Sequence, residues 1–390
     1  MAGEDKIEYK PIPLTDLLIR LKNLSQIMMS LAFCSVFFRD ESLYVEMEML
    51  DDKIDYLKSL LIMQASLATR DGEDATKMLS VFDMVSSVDK ISEVSLDIAK
   101  LAHEHLTIDI GDYLFINSAT NFIFVFEVDE NSPFISKTIK EIYEDIQEVF
   151  DVVAVRRSGR FIISPSEDFT LYKGDKLYIK GLTSTIRKVL RLHGVEKEAS
   201  GLKLNRDILE NIIYIKNLSE FMIDIAYSTL FTSSKDLAYE LESMEETIDE
   251  ITEELKLNVM EDSQLSNKEK LALIEFIDSC EYLADAAIDM TYSIRKGGSP
   301  HPIIERILEK TDERYIVLKI PDILDGKEIA QLNLSKFGVD ILALKRGGYW
   351  YLNPPIKGWK LRSGDQIIIQ YYKEAEEEVK KLIKNLEIKT

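Results

Sequence analysis

Four pairs of carboxylates stand four residues apart in this chain: Asp51 and Asp55, Glu93 and Asp97, Glu245 and Asp249, Glu281 and Asp285. On a helix, positions i and i+4 share a face, so the oxygens of each pair can turn toward one point. Two such pairs on adjacent helices would make an oxygen-rich cage for a divalent or transition-metal cation. The competing reading is a solvated acidic face. Over residues 241–255 the core line is Leu241, Met244, Ile248, Ile251 and Leu255, and Asp249 points well away from it.

A second set of candidates is basic. Arg156, Arg157 and Arg160, and later Lys345 and Arg346, flank glycine turns. Cationic side chains beside backbone N–H groups can hold an anionic ligand; charges at a hairpin can also simply guard a sheet edge. His103-Glu104-His105 offers two imidazoles, but positions i and i+2 of a helix diverge. No Gly-x-Ser-x-Gly, Cys-x-x-Cys or His-Glu-x-x-His pattern occurs, so no enzyme is expected.

The elements that must carry these groups follow from periodicity. Residues 14–38, 42–68 and 73–104 have helical apolar spacing, as in Ile91, Val94, Ile98 and Leu101, with Thr15 a plausible first cap. Three helices with short breaks predict an antiparallel bundle over 14–105. From about residue 110 the period changes. Phe122–Phe126 is a strand, 137–150 a short helix, Val152–Val155 and the run after Arg156 are strands around a Gly turn, and Leu177–Ile179 follows Gly174-Asp175. Thr183–Leu192 closes this unit as a helix, so 110–196 reads as a small α+β unit.

The whole arrangement then recurs. Gly159 and Gly348 are 189 residues apart, and Gly174-Asp175 and Gly364-Asp365 are 190 apart. Leu24-Ser25-Gln26 corresponds to Leu218-Ser219-Glu220, and Lys22-Asn23 to Lys216-Asn217, at an offset of 194. A second bundle is expected over 202–296, with a capping box at Ser266–Glu269, and a second α+β unit over 303–388. The fold class is therefore multidomain, α and α+β in alternation, and a duplicated chain predicts two halves packed as a pseudo-two-fold pair.

The bulk properties narrow the partners. The formal charge of −21 argues against nucleic acid and against an anionic membrane surface. The longest apolar run, Ile27–Phe38, broken only by Ser30 and Ser35, has 12 residues where a bilayer needs roughly 20, so no membrane insertion is expected. The segment before Pro13 is charged, and Cys34 and Cys280 lie in apolar helical stretches; buried free thiols and a cytoplasmic location are expected.

On Arg156–Pro165 with Gly174-Asp175, and Lys345–Pro354 with Gly364-Asp365, the α+β unit resembles the TrkA-C (RCK-C) regulatory domain of potassium-transport proteins. The bundles resemble PhoU, the phosphate-uptake regulator. The carriers are Asp51, Asp55, Glu245 and Asp249 on second helices, with Glu93, Asp97, Glu281 and Asp285 on third helices. Glu281-Tyr282-Leu283-Ala284-Asp285 follows the PhoU form, although Ala286 stands where PhoU often has a histidine. The combined resemblance implies a cytosolic, ligand-sensing regulator of membrane cation transport, with a transporter or channel subunit as partner and homo-oligomers allowed. Phosphate-transport regulation and metal binding are the alternatives. Potassium-transport regulators usually also carry a nucleotide-binding Rossmann domain; no Gly-x-Gly-x-x-Gly follows a strand here, so NAD is not expected.

Overall fold

The computed structural model describes residues 8–104, 106–110, 121–147, 150–193, 201–310, 313–332, 334, 339–354, 358–377 and 379–381. The expectation for His105 lies outside these residues.

Helices α1 (Leu14–Phe38), α2 (Leu43–Ala68) and α3 (Gly72–His103) form the first bundle. The α1 cap is Pro13 rather than Thr15: proline's fixed φ suits a helix entry, and Thr15 lies buried in the first turn. The α1 helix runs 25 residues, twice the expected apolar run, with a mean hydropathy of 1.3 over its most apolar window; length and composition alone would let it cross a membrane. Here 72% of that window is buried inside the protein, because α2, α3 and the second bundle surround it. Asp71 starts α3 by accepting bonds from the Glu73 and Asp74 N–H groups.

The first α+β unit contains β1 (Asn121–Glu127), α4 (Ile139–Ile146), β2 (Asp151–Arg157), β3 (Arg160–Ile163), β4 (Lys176–Leu182) and α5 (Thr183–His193). The α4 helix is shorter than its apolar pattern suggests. Thr138 and Glu141 form a capping box at its start, and Gln147 ends it in the left-handed region at φ 58°.

The second bundle is α6 (Arg206–Thr232), α7 (Lys235–Glu261) and α8 (Asn267–Met290), with the capping box at Ser266 and Glu269 in place. After α9 (Tyr292–Arg295) and α10 (Pro302–Lys310) come β5 (Glu313–Lys319), β6 (Val339–Arg346), β7 (Tyr349–Leu352) and β8 (Gln366–Tyr372).

The duplication holds for the sheets, whereas two 3-10 turns, Asp322–Leu324 and Ile329–Leu332, stand in the second unit where the first has α4. Both sheets are four-stranded and antiparallel, ordered β1-β4-β2-β3 and β5-β8-β6-β7. Each first central strand carries the same register shift, between Val152 and Ala154 and between Ile341 and Ala343. The bundles pack through their third helices, α3 along α8, and α1 meets the second half where Phe276 stands edge-on to Phe33 and Phe37 at 5.9 and 6.1 Å. Both cysteines are buried, and neither is in a disulfide. A short strap joins the halves: Leu202 N donates to Thr107 O at 2.7 Å, and Ile108 N to Val36 O at 3.1 Å. The strap needs Gly201, whose φ is 123° and where a Cβ would come within 2.9 Å of Thr107.

Candidate functional site: the sheet faces and the bundle carboxylates

Side chains alternate along a strand, so neighbouring residues serve opposite faces. On β4, Lys176, Tyr178 and Lys180 face the helices, and Leu177 and Ile179 face the unit's own core. On β8 the helix-facing set is Gln366, Ile368 and Gln370. The same alternation splits the expected basic cluster. Arg156 and Lys345 face the bundles; their neighbours Arg157 and Arg346 face away. Arg156 and Arg157 therefore do not converge on one point.

Lys176, Arg156 and Lys345 dock each unit on its own bundle. Lys176 Nζ and Tyr178 Oη both donate to Asp40 Oδ2 at 2.6 Å, and Arg156 Nη1 donates to Ser42 Oγ at 2.7 Å. Burial pushes the Asp40 carboxyl up, but hydrogen bonds from Lys176, Ser42 and Tyr178 outweigh it and hold it below its ordinary value. Burial and the Asp40 charge together drive the Tyr178 phenol far above its ordinary value. In the second half Glu240 takes this role, accepting from Lys345 Nζ at 3.0 Å and Gln366 Nε2 at 2.8 Å. Tyr214 Oη adds a bond to the Trp350 carbonyl at 2.8 Å.

The outward arginines brace the hairpins. Arg157 binds Asp175 through Nε at 2.8 Å and Nη2 at 2.7 Å, and donates to Thr170 O. Arg346 repeats this with Asp365 at 2.9 and 2.6 Å and with Lys360 O. The aspartates are buried, and each also accepts a turn N–H, from Tyr172 or Arg362. Conserving this geometry in both copies is what the Gly-Asp turn is for: it delivers a carboxylate to a planar guanidinium on the neighbouring strand of the sheet. Arg160 begins β3 with its side chain exposed.

The carboxylate pairs behave differently in the two halves. In the first, Asp51 accepts from Ser92 Oγ at 2.6 Å, Lys58 bridges Asp55 (2.7 Å) and Asp89, and Glu93 and Asp97 are exposed on α3. In the second, burial raises Glu245, Asp249 and Asp285 above the usual carboxylate range, and mutual repulsion adds to it: Asp249 and Asp285 act on Glu245, Glu281 on Asp249, and Glu281 and Asp249 on Asp285. Lys256 supplies counter-charge to Glu281 at 2.8 Å and Asp278 at 2.6 Å. So Glu245, Asp249, Glu281 and Asp285 share one face, but among the described residues no three His, Cys, Asp or Glu side chains are arranged to hold a metal ion. His103 stacks on Tyr44 at 5.1 Å.

One constellation escaped the sequence reading. Lys180 Nζ reaches out of the first sheet to Ser30 Oγ of α1 at 3.4 Å and to Glu220 of α6 at 3.6 Å. Glu220 also accepts from the fully buried Lys216 at 2.7 Å, and Gln26 Nε2 donates to Asp224 at 2.6 Å. Burial lowers the Lys180 ammonium's affinity for its proton, but Glu220, Asp224 and Asp151 outweigh this and leave its pKa raised. The available signal was the Lys216/Glu220 pair, two ions four residues apart inside an apolar helix.

Comparison with known proteins bears on the α+β units. The TrkA-C domain model matches twice, at residues 123–194 and 314–384. Among solved structures, PhoU from Pseudomonas aeruginosa is 13% identical with a TM-score of 0.40, over 76% of this chain and 96% of that one. The GsuK RCK domain is 12% identical with a TM-score of 0.18, over 80% and 79%. The GsuK channel bound to NAD is 12% identical with a TM-score of 0.18, over 78% and 66%. No curated protein matches the chain. The strand order, the braced Gly-Asp turn and the double match agree: residues 123–194 and 314–384 are two TrkA-C domains, each seated by one sheet face on a three-helix bundle.

Proposed function

We propose that this protein is a non-enzymatic regulator of membrane cation transport, with potassium the leading ion, working from the cytosolic side of the membrane through a transporter or channel subunit. The observation that carries the reading is the pair of TrkA-C domains docked on one helical body. A small ligand or ion bound by a TrkA-C domain would favour one docking arrangement, and the bundles would carry that preference to the partner. Such coupling requires only that the ligand bind one arrangement more tightly than the other. A test is purification of the tagged chain from detergent-solubilised membranes of its own organism, followed by cation-flux measurements on the recovered complex. A cation transporter whose flux changes when the chain is removed supports the reading. Recovery of no transport protein, or unchanged flux, overturns it.

A second reading, regulation of phosphate transport, is favoured by the carboxylate face of Glu245, Asp249, Glu281 and Asp285, which the TrkA-C domains do not require. Recovery of a phosphate permease in the same experiment would select it.

A further inference from the structure

The two TrkA-C domains share topology, register and docking face, yet they are tied to the rest of the molecule differently. In the first, the apolar core of the domain (Ile142, Ile186, Val189) is continuous with the core of both bundles. In the second, Ile320, Leu344, Ile367 and Ile369 form a core of their own, and the buried docking residues Ala343, Trp350 and Ile368 belong to the helical body.

Two contacts set the first domain apart. Phe124 packs edge-on against Phe38 at the end of α1, with ring centres 4.8 Å apart; the equivalent positions in the second half are Ile316 and Thr232. Lys180 then crosses from the first domain to Glu220, which lies on the bundle of the other half. Its side chain is only 16% exposed, and with Ser30 and Lys216 the contact joins β4, α1 and α6 at one point. The strand position equivalent to Lys180 is Gln370. It pairs with Asp340 and Tyr315 as Lys180 pairs with Asp151 and Ile123, and its amide donates to Tyr315 Oη inside its own sheet. The second domain's docking bonds run to Tyr214 and Glu240, both on its own bundle.

We infer that the two TrkA-C domains have divided their roles: Lys180 latches the first into the seam between the bundles, and the second is the domain that undocks. A buried ion gains its stability from partners held in fixed geometry, so moving the first domain would part Lys180 from Glu220, which keeps only Lys216. Undocking the second domain leaves its own core closed. This rests on reading the TrkA-C domains as the sensing parts, and it names which of them moves.

The test is amide hydrogen exchange on the full chain with no ligand and no transporter, so its outcome is independent of whether transport is regulated. Peptides covering β5 and β8 should exchange at least tenfold faster than those covering β1 and β4. Lys180→Gln, which installs the second domain's residue and leaves Glu220 its Lys216 partner, should bring β1 and β4 to within threefold of β5 and β8 without accelerating the latter. Lys180→Arg should retain the difference. Equal protection of the two sheets in the unmodified protein overturns the inference without any variant. So does a Lys180→Gln protein that folds and keeps the full difference.

Discussion

The two TrkA-C domains begin from one plan and finish with different attachments. Both brace a hairpin with a bidentate Arg–Asp pair, and both lay the same strand face on a bundle. The docking residues diverged. Asp40, Lys176 and Tyr178 of the first half correspond to Ser234, Gln366 and Ile368, while Arg156 and Lys345 keep a cation at the hairpin. The lesson is that a duplicated unit conserves what closes its own fold, because every copy needs it. It can trade the groups that fix it to neighbours, since those set mobility rather than shape.

The sharpest way to test this contrast uses the arginine braces. Arg157→Met and Arg346→Met each strand a buried aspartate and should each cost about 3–5 kcal/mol locally. Both tryptophans lie in the second domain, Trp359 on its own core and Trp350 at its docking face, so their fluorescence reports that domain and its seating on the bundle while circular dichroism reports the helices. Arg346→Met should lower the urea midpoint of the fluorescence and spare the helical signal. Arg157→Met should lower the helical midpoint, because that core is shared. Coincident loss of both signals in Arg346→Met would show that the second domain is not an independent core.

Phe38→Ala should destabilise the helical transition by about 2 kcal/mol, less than a fully buried phenylalanine because Phe38 is half-buried. The tryptophan transition should not move with it. In the other half, Tyr214→Phe removes one bond to the Trp350 carbonyl and should cost about 1 kcal/mol, read by tryptophan fluorescence.

The first docking site carries a pH response of its own. Asp40 has a folded pKa below its ordinary 3.8, so its contribution is present above that value and is lost as pH falls through it toward the lower folded value. Asp40→Asn should flatten this acid limb in chemical denaturation measured at a series of pH values; an unchanged limb would remove Asp40 as the docking acid.

The smallest expected effect compares the bundles. The folded pKa of Asp249 is raised, so ionising it as pH rises costs stability, and Asp249→Asn should stabilise the neutral-pH protein by roughly 0.5 kcal/mol. Asp55→Asn should give no gain, since it loses the Lys58 pair. Equal responses would mean that the two acidic faces are equivalent after all.

Much of this architecture was legible before any coordinates. Helical period, glycine turns and caps such as Ser266 and Glu269 are local, and the 189–194-residue offsets exposed the duplication; strand period and the Gly-Asp turns marked both TrkA-C domains. Local rules also explain the misses at element ends, where Pro13 rather than Thr15 caps an α1 whose bounds were as expected, and Gln147 ends α4 early. What the chain could not disclose is which charge meets which. Arg156 and Arg157 look like one cluster in sequence and serve opposite faces in space, because the side-chain period of a strand is two. Lys58 and Lys256 neutralise carboxylates from neighbouring helices, and Lys180 finds Glu220 across the seam between halves. Those pairings depend on the packing of bundle against bundle and sheet against helix. Local composition determined the elements, and the tertiary contacts decided which of two like domains was held fast.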